Sequence, residues 1–228
     1  MKLTEKNKTT KDILLNTIRA ALGLAFFGVG IYFTIQANIG VAPWDCFYLG
    51  IEKATGIKYG NISVCASLII ITIDVILKER IGIGTLTDAI VVGKTVDLCN
   101  ALNLVPEQTS MWTGIAFMLI GLLINGVGQY IYMQSALCCG PRDGLLLALS
   151  KRMPKVPIGA VGVMINGAVL LLGWILGGPI GIGTILGVLL MTPIMQMVFQ
   201  VMHFEPKAVI HQDLIQSSRV ISSSLRKK

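Results

Sequence analysis

The side chains best able to do chemistry in this sequence fall on two short turns and one apolar segment. The turns are Ala42-Pro43-Trp44-Asp45-Cys46 and Gly140-Pro141-Arg142-Asp143-Gly144, ninety-eight residues apart. Proline at a first helical position loses nothing by lacking an N–H. An aspartate two residues later lies in the first turn, at the positive end of the helix dipole. The pattern is therefore a well-made helix start. It is also a place where two helix N-termini could meet a solute. N-termini hold anionic groups, whereas Asp45 and Asp143 favour a cation or a proton, and Arg142 could pair with Asp143. The motif alone leaves the sign of that solute open.

The apolar segment 83–102 carries Asp88, Lys94 and Asp97. As a helix it would place Lys94 roughly 16 Å from its start, near the midplane of a bilayer. A charge there costs at least ~2.5–3.5 kcal/mol, and such residues usually face the bundle interior. Lys94 and Asp97 are three residues apart, share a helix face and could pair. They read either as a packing pair or as part of a solute or proton path. Gln36 and Gln134, at matched positions, complete the candidate substrate-binding set: Asp45, Arg142, Asp143, Lys94, Asp97, Asp88, Gln36 and Gln134. Asn125, Gln129 and Asn166 read as interhelical hydrogen-bonding residues, a role worth about 0.6 kcal/mol each. Asp74 and Lys78, four apart at a segment edge, read as an interfacial pair outside the set, so Asp74→Asn should be mild.

Other chemistries lack their residues. There is no HExxH, nucleotide loop or Ser-His-Asp set, and His203 and His211 both lie in the C-terminal tail. An enzyme is not expected, nor a cofactor. The five cysteines show no metal-ligand spacing, so they read as small apolar packers and no metal site is expected.

The elements that must position these residues repeat. At an offset of 98, Gly23 and Leu24 match Gly121 and Leu122, Gly28-Val29-Gly30 matches Gly126-Val127-Gly128, and Tyr32 matches Tyr130. Ile81-Gly82-Ile83-Gly84-Thr85 recurs as Ile180-Gly181-Ile182-Gly183-Thr184 at an offset of 99. The chain reads as two copies of one unit, each centred on a Pro-x-Asp turn.

With 54% hydrophobic and 14% charged residues and a mean hydropathy of +0.73, the 228 residues lack the roughly 25% charge of a soluble domain. The expected fold is all-α, a polytopic transmembrane bundle. Six segments approach the roughly 20 residues a bilayer needs: 20–39, 60–77, 83–102, 112–134, 158–176 and 183–202. The expected organisation is a cytoplasmic N-terminal segment (1–19), a first three-span repeat (20–102), a second (112–202) and a cytoplasmic tail (203–228). Between the spans, the Pro-x-Asp segments are too short to cross and read as re-entrant or interfacial helices. Tail residues Ile210, Leu214, Ile221 and Leu225 recur at near-helical spacing, as in a helix lying on the inner leaflet or a frayed end.

Sixteen Lys and Arg fall on the side of the N-terminus, two (Lys53 and Lys58) on the other. The positive-inside bias places both termini in the cytoplasm. Three spans per copy then make the copies inverted, a pattern many secondary transporters share. The net charge of +7 serves this orientation, and no nucleic acid partner is expected.

The segments Gly40-Val41-Ala42-Pro43-Trp44-Asp45 and Gly140-Pro141-Arg142-Asp143-Gly144-Leu145 resemble the signature turns of the bacterial YczE/YyaS/YitT group of integral membrane proteins, the YczE-like branch most of all. The resemblance covers roughly residues 20–202. It implies a multi-pass protein of the bacterial plasma (inner) membrane and assigns no substrate, cofactor or catalytic residue. The leading expectation is a secondary transporter or permease for a small, cationic or zwitterionic solute. The alternative is a non-transporting membrane scaffold or accessory protein, with lipid scrambling or binding third. The expected partners are the lipid bilayer and a small-molecule solute, with a homo-oligomer left open. A transporter would need an enclosed polar path reaching Lys94, Asp97 and both Pro-x-Asp turns.

Overall fold

The computed structural model describes residues 10–137, 139–206, 209 and 214. The first nine residues and, apart from Leu214, the tail helix expected beyond 209 lie outside the described residues. Eight helices and no strands occur among those described. They are α1 (Thr10–Gln36), α2 (Pro43–Thr55), α3 (Tyr59–Ile76), α4 (Ile83–Leu102), α5 (Met111–Gln134), α6 (Pro141–Arg152), α7 (Ile158–Ile175) and α8 (Ile182–Val201).

The six apolar segments become α1, α3, α4, α5, α7 and α8, and each Pro-x-Asp turn begins a short helix, with Pro43 and Pro141 at its first position. At 13 and 12 residues, α2 and α6 reach about 20 Å, well short of the bilayer core. The first helix starts ten residues before the expected span, at Thr10. No glycine or proline interrupts the chain from Thr10 to Leu22, and Ile13 on this added stretch is buried.

Five helices, all but α4 among the long ones, are long and apolar enough to cross a membrane. Of spanning length too, α4 carries Asp88, Lys94 and Asp97. Many of the large side chains on the outside are apolar, including Trp112, Val163, Ile76 and Val201. A soluble protein would have no way to solvate such a surface. The chain is a helical, multi-pass membrane protein.

The centre of the bundle is the antiparallel contact of α1 with α5. A Cβ on Gly23 would sit 2.8 Å from the Gly128 carbonyl oxygen, and one on Gly30 would sit 2.7 Å from that of Gly121. Only hydrogen at these positions lets the backbones meet, the small-residue packing of membrane interfaces. The four glycines are two matched pairs of the sequence repeat, and each touches the partner's match.

Further contacts between the halves exchange in the same way: α2 packs on α7, and α3 on α6. Within the halves the matched contacts are α4 on α1 and α8 on α5. The glycine-rich starts of α4 and α8 dock onto the turns of the opposite half. The Gly84 N–H donates to the Leu137 carbonyl at 2.9 Å, and the Gly183 N–H to the Ile39 carbonyl at 2.7 Å. The first turn of any helix leaves N–H groups without intrahelical partners. Here one of them fixes the approach to each Pro-x-Asp helix. The Thr85 hydroxyl, which donates to the Cys139 carbonyl at 2.7 Å, also accepts from the Gly82 N–H. Its match Thr184 accepts from the Gly181 N–H.

Candidate functional site

Side chains from the first turns of α2 and α6 meet. The Arg142 guanidinium lies over the Trp44 ring, 5.1 Å from its centroid, and over Tyr48 at 5.3 Å. It also donates a hydrogen bond to the Tyr48 hydroxyl at 3.3 Å. Trp44 and Arg142 occupy the same position in the two copies of the repeat. The contact is a cation on the face of an aromatic ring, strongest when water is excluded.

Around Arg142 stand three aspartates, each close enough to interact electrostatically with it: Asp45, Asp88 and Asp143. Asp45 is only 4% exposed and accepts a 2.8 Å hydrogen bond from the Tyr59 hydroxyl. Asp88, on α4, lies beside Gly140, where a Cβ would collide with its carboxylate. Asp143 is exposed. Three carboxylates face one guanidinium, so the site has an excess of negative charge when all are ionised.

From this cluster a run of polar contacts leads toward one end of the bundle. The Tyr59 backbone N–H donates to Glu52 Oε1 at 3.2 Å. Glu52 lies in the last turns of α2, half-buried. Burial raises its carboxyl pKa above the usual range, and the Tyr59 hydrogen bond partly offsets the rise. Glu52 lines a cleft of about 350 Å³ that also includes Asn38, Lys53, Glu107 and Gly177.

The other end is closed by α6 lying on α3. Lys151 forms a 2.6 Å ion pair with Glu79, and Arg152 donates to the Leu77 carbonyl at 2.9 Å. Beneath this lid sits Asp74. It is 2% exposed, its Oδ2 lies against Gly144, and its Oδ1 has no hydrogen-bond partner. The interfacial pair expected for Asp74 and Lys78 is not formed. Lys78 takes a left-handed backbone (φ 58°) in the turn after α3, while Asp74 turns inward under α6. The bare Cα of Gly144 makes the room.

The expected Lys94–Asp97 pair is not formed either. Lys94 is exposed and donates to Asn61 Oδ1 at 2.5 Å; Asp97 accepts the Gly60 N–H at 2.8 Å, capping the start of α3. Lys94 and Asp97 share a helix face, but Asn61 and the Gly60 N–H of α3 each claim one of them. Helix phase separates both from the cluster: at 3.6 residues per turn, Asp88 and Lys94 point about 120° apart, so Lys94 does not face α6 when Asp88 does. Gln36 and Gln134 also stand apart from the cluster, Gln36 donating to Asn100 at 3.4 Å and Gln134 to the Tyr130 hydroxyl one turn back. Of the eight candidates, the structure brings together Asp45, Asp88, Arg142 and Asp143.

Sequence reasoning missed Trp44, Tyr48, Tyr59 and Glu52 as partners. Tyr48 carried a readable signal, a hydroxyl three residues after Asp45 on the same helix face. Tyr59 carried none, since its match in the second copy is the apolar Ile158. Cys46 behaves as a packer, buried against Gly173 and Gly178.

The chain belongs to a family of unknown function, DUF6198, which it matches over residues 14–200. It is similar to an uncharacterized protein of Haemophilus influenzae, 32% identical over 72% of this chain and 73% of the relative. Two proteins of Bacillus subtilis are also similar. The uncharacterized protein YyaS is 32% identical over 74% of this chain and 85% of its own length. The uncharacterized membrane protein YczE is 28% identical over 74% and 78%. The resemblance drawn from the two Pro-x-Asp turns therefore holds. No solved structure shows a significant match.

Proposed function

We propose that this member of the DUF6198 family is a secondary transporter or permease for a small solute, built as two inverted three-span repeats with α4 as the sixth span. Both termini lie in the cytoplasm and the protein sits in the bacterial plasma membrane. The observation that carries the reading is the meeting of matched residues, Trp44 and Arg142, at the tips of two helices too short to cross. Non-spanning helices buried at membrane depth are tolerated where protein or a water-filled cavity shields them. Transporters of inverted design place solute and ion sites at such helix ends, between the repeats.

The exchanged contacts support the inversion. Lys53 donates to the Gly177 carbonyl at 3.4 Å, and its match Lys151 pairs with Glu79, the residue after Lys78, which is the match of Gly177. The two ends differ in closure: the Lys53 end holds the cleft, the Lys151 end the ion pair over buried Asp74. The solute path reaches Asp45, Asp88, Arg142 and Asp143, and leaves Lys94 and Asp97 to hold α3 against α4.

The test is uptake by proteoliposomes of solutes chosen from a thermal-shift screen, since a ligand bound only to the native state stabilises it. Asp45→Asn and Asp143→Asn should each reduce uptake while expression stays near normal. A folded protein that no solute in the screen stabilises would favour a scaffold instead. Orientation is tested separately by cysteine labelling at positions 53 and 151, which should react from opposite sides of the membrane; labelling from one side ends the inverted arrangement.

A further inference from the structure

The cleft at the Lys53 end has a chemistry of its own. Its volume of about 350 Å³ is at the small end of ligand pockets. Its lining sets apolar Ile35, Val41 and Leu49 beside charged Glu52, Lys53 and Glu107. Two carboxylates and one ammonium give the lining a net negative charge. Lys53 is already turned to the Gly177 carbonyl. Glu52 uses Oε1 for the Tyr59 N–H, and its Oε2 has no protein hydrogen bond among the described residues. The floor leads through Tyr59 to Asp45 and the cluster of three aspartates about one arginine. With those carboxylates ionised, mouth and interior share one sign, and a cation meets a favourable field at both.

The apolar part of the lining decides the kind of cation. A bare metal ion needs several oxygen ligands at once, and among the described residues no group of three or more His, Cys, Asp or Glu is placed to hold one. An organic cation needs one carboxylate for its charge and apolar surface for its body. We infer that the cleft is the intake site for a small organic ammonium ion, with Glu52 as its counter-ion and Ile35, Val41 and Leu49 against its alkyl part. The inference rests on the transport reading for its purpose, but the binding it describes does not.

The experiment uses the full chain in nanodiscs, titrated with n-butylammonium and, as the size-matched anion, butyrate, at constant ionic strength. Thermal unfolding and calorimetry report binding. Butylammonium should raise Tm saturably and butyrate should not. Glu52→Gln keeps an acceptor for the Tyr59 N–H, so the fold is retained, and should weaken butylammonium binding about tenfold. Glu107→Gln, on an exposed loop, provides a second variant and should weaken it less; Lys53→Gln should leave it unchanged or tighter. No response to butylammonium, an equal response to butyrate, or wild-type affinity in Glu52→Gln overturns the inference. Butylammonium binding without uptake of any solute would instead sink the transport reading and leave the cleft assignment standing. Uptake confined to anions, unaffected by Glu52→Gln, would do the reverse.

Discussion

The two halves of this chain repeat one unit, yet one half holds most of the charge and the other most of the exposed apolar surface. In the first, α3 packs along α4, and Asp97 ties the two together through the Gly60 N–H. In the second, α7 and α8 make at most marginal contact. Val161 and Gly173 are the buried residues of α7, whose remaining surface presents Ile158, Val163, Met164 and Trp174 outward. The positions matching Lys94 and Asp97 are Pro193 and Gln196, which carry no charge. The same scaffold supports a polar seam on one side and a lipid-facing wall on the other. A shared backbone plan thus leaves the side chains of each copy free to specialise.

The comparison breaks most visibly at Arg142. Its match Trp44 is neutral, so the pair is held by one charge, and that charge also faces three aspartates. Arg142→Ala should destabilise the protein by about 3 kcal/mol or more, the cost of leaving carboxylates uncompensated. Arg142→Lys keeps the charge but loses the planar stack, and should cost about 1 kcal/mol. Unfolding in nanodiscs measures both; equal losses for Ala and Lys would mean that the charge is not what matters. Next comes the α1–α5 seam. Gly30→Leu and Gly121→Leu press side chains into the same contact from opposite helices, and each should cost roughly 3 kcal/mol. Because the contact is exchanged between halves, the two losses should be alike. A large inequality would show that the halves do not share the seam evenly.

The aspartates sharpen the comparison further. Asp45→Asn weakens a buried, charge-assisted hydrogen bond from Tyr59 and should cost about 2 kcal/mol. Asp143→Asn changes an exposed side chain and should stay within about 0.5 kcal/mol. Both should still reduce uptake, so stability and transport separate the two matched residues. The smallest expected effect is at the ends of the bundle. Lys151→Gln breaks an ion pair whose lysine is 63% exposed and should cost about 0.5 kcal/mol. Lys53→Gln removes a 3.4 Å contact to a carbonyl and should leave Tm unchanged. A larger loss at Lys53 would reverse the assignment of the open and closed ends.

Much of this architecture was legible in the residues. Apolar run lengths located six of the eight helices, and proline followed by aspartate located the starts of the other two. The repeat showed which positions correspond, down to the glycines of the α1–α5 seam. The role of Ile-Gly-Ile-Gly-Thr was not legible, because its Gly N–H groups find their acceptors in the other half of the chain. Lys94 and Asp97 were placed together because spacing along a helix reports only a shared face. It does not report that Asn61 and Gly60 of the neighbouring helix would claim them one at a time. Asp74 was placed at the membrane edge because its distance along the helix put it there, while α6 folds back over it.

What the sequence determined by itself was therefore periodic and local: helix lengths, helix starts, the duplication, and the distribution of positive charge. Each depends on residues within a few turns of one another, on the bilayer acting as a common solvent or, for the duplication, on the likeness of the two copies residue by residue. What only the tertiary structure decided was which face of each helix met which neighbour. The rotational phase of a helix is set by packing against the rest of the bundle, and a step of about 100° per residue turns a small change of phase into a different set of partners. That is why Asp88 faces Arg142 while Lys94, six residues on, faces outward, and why Trp44 and Arg142, unlike in chemistry, share one contact.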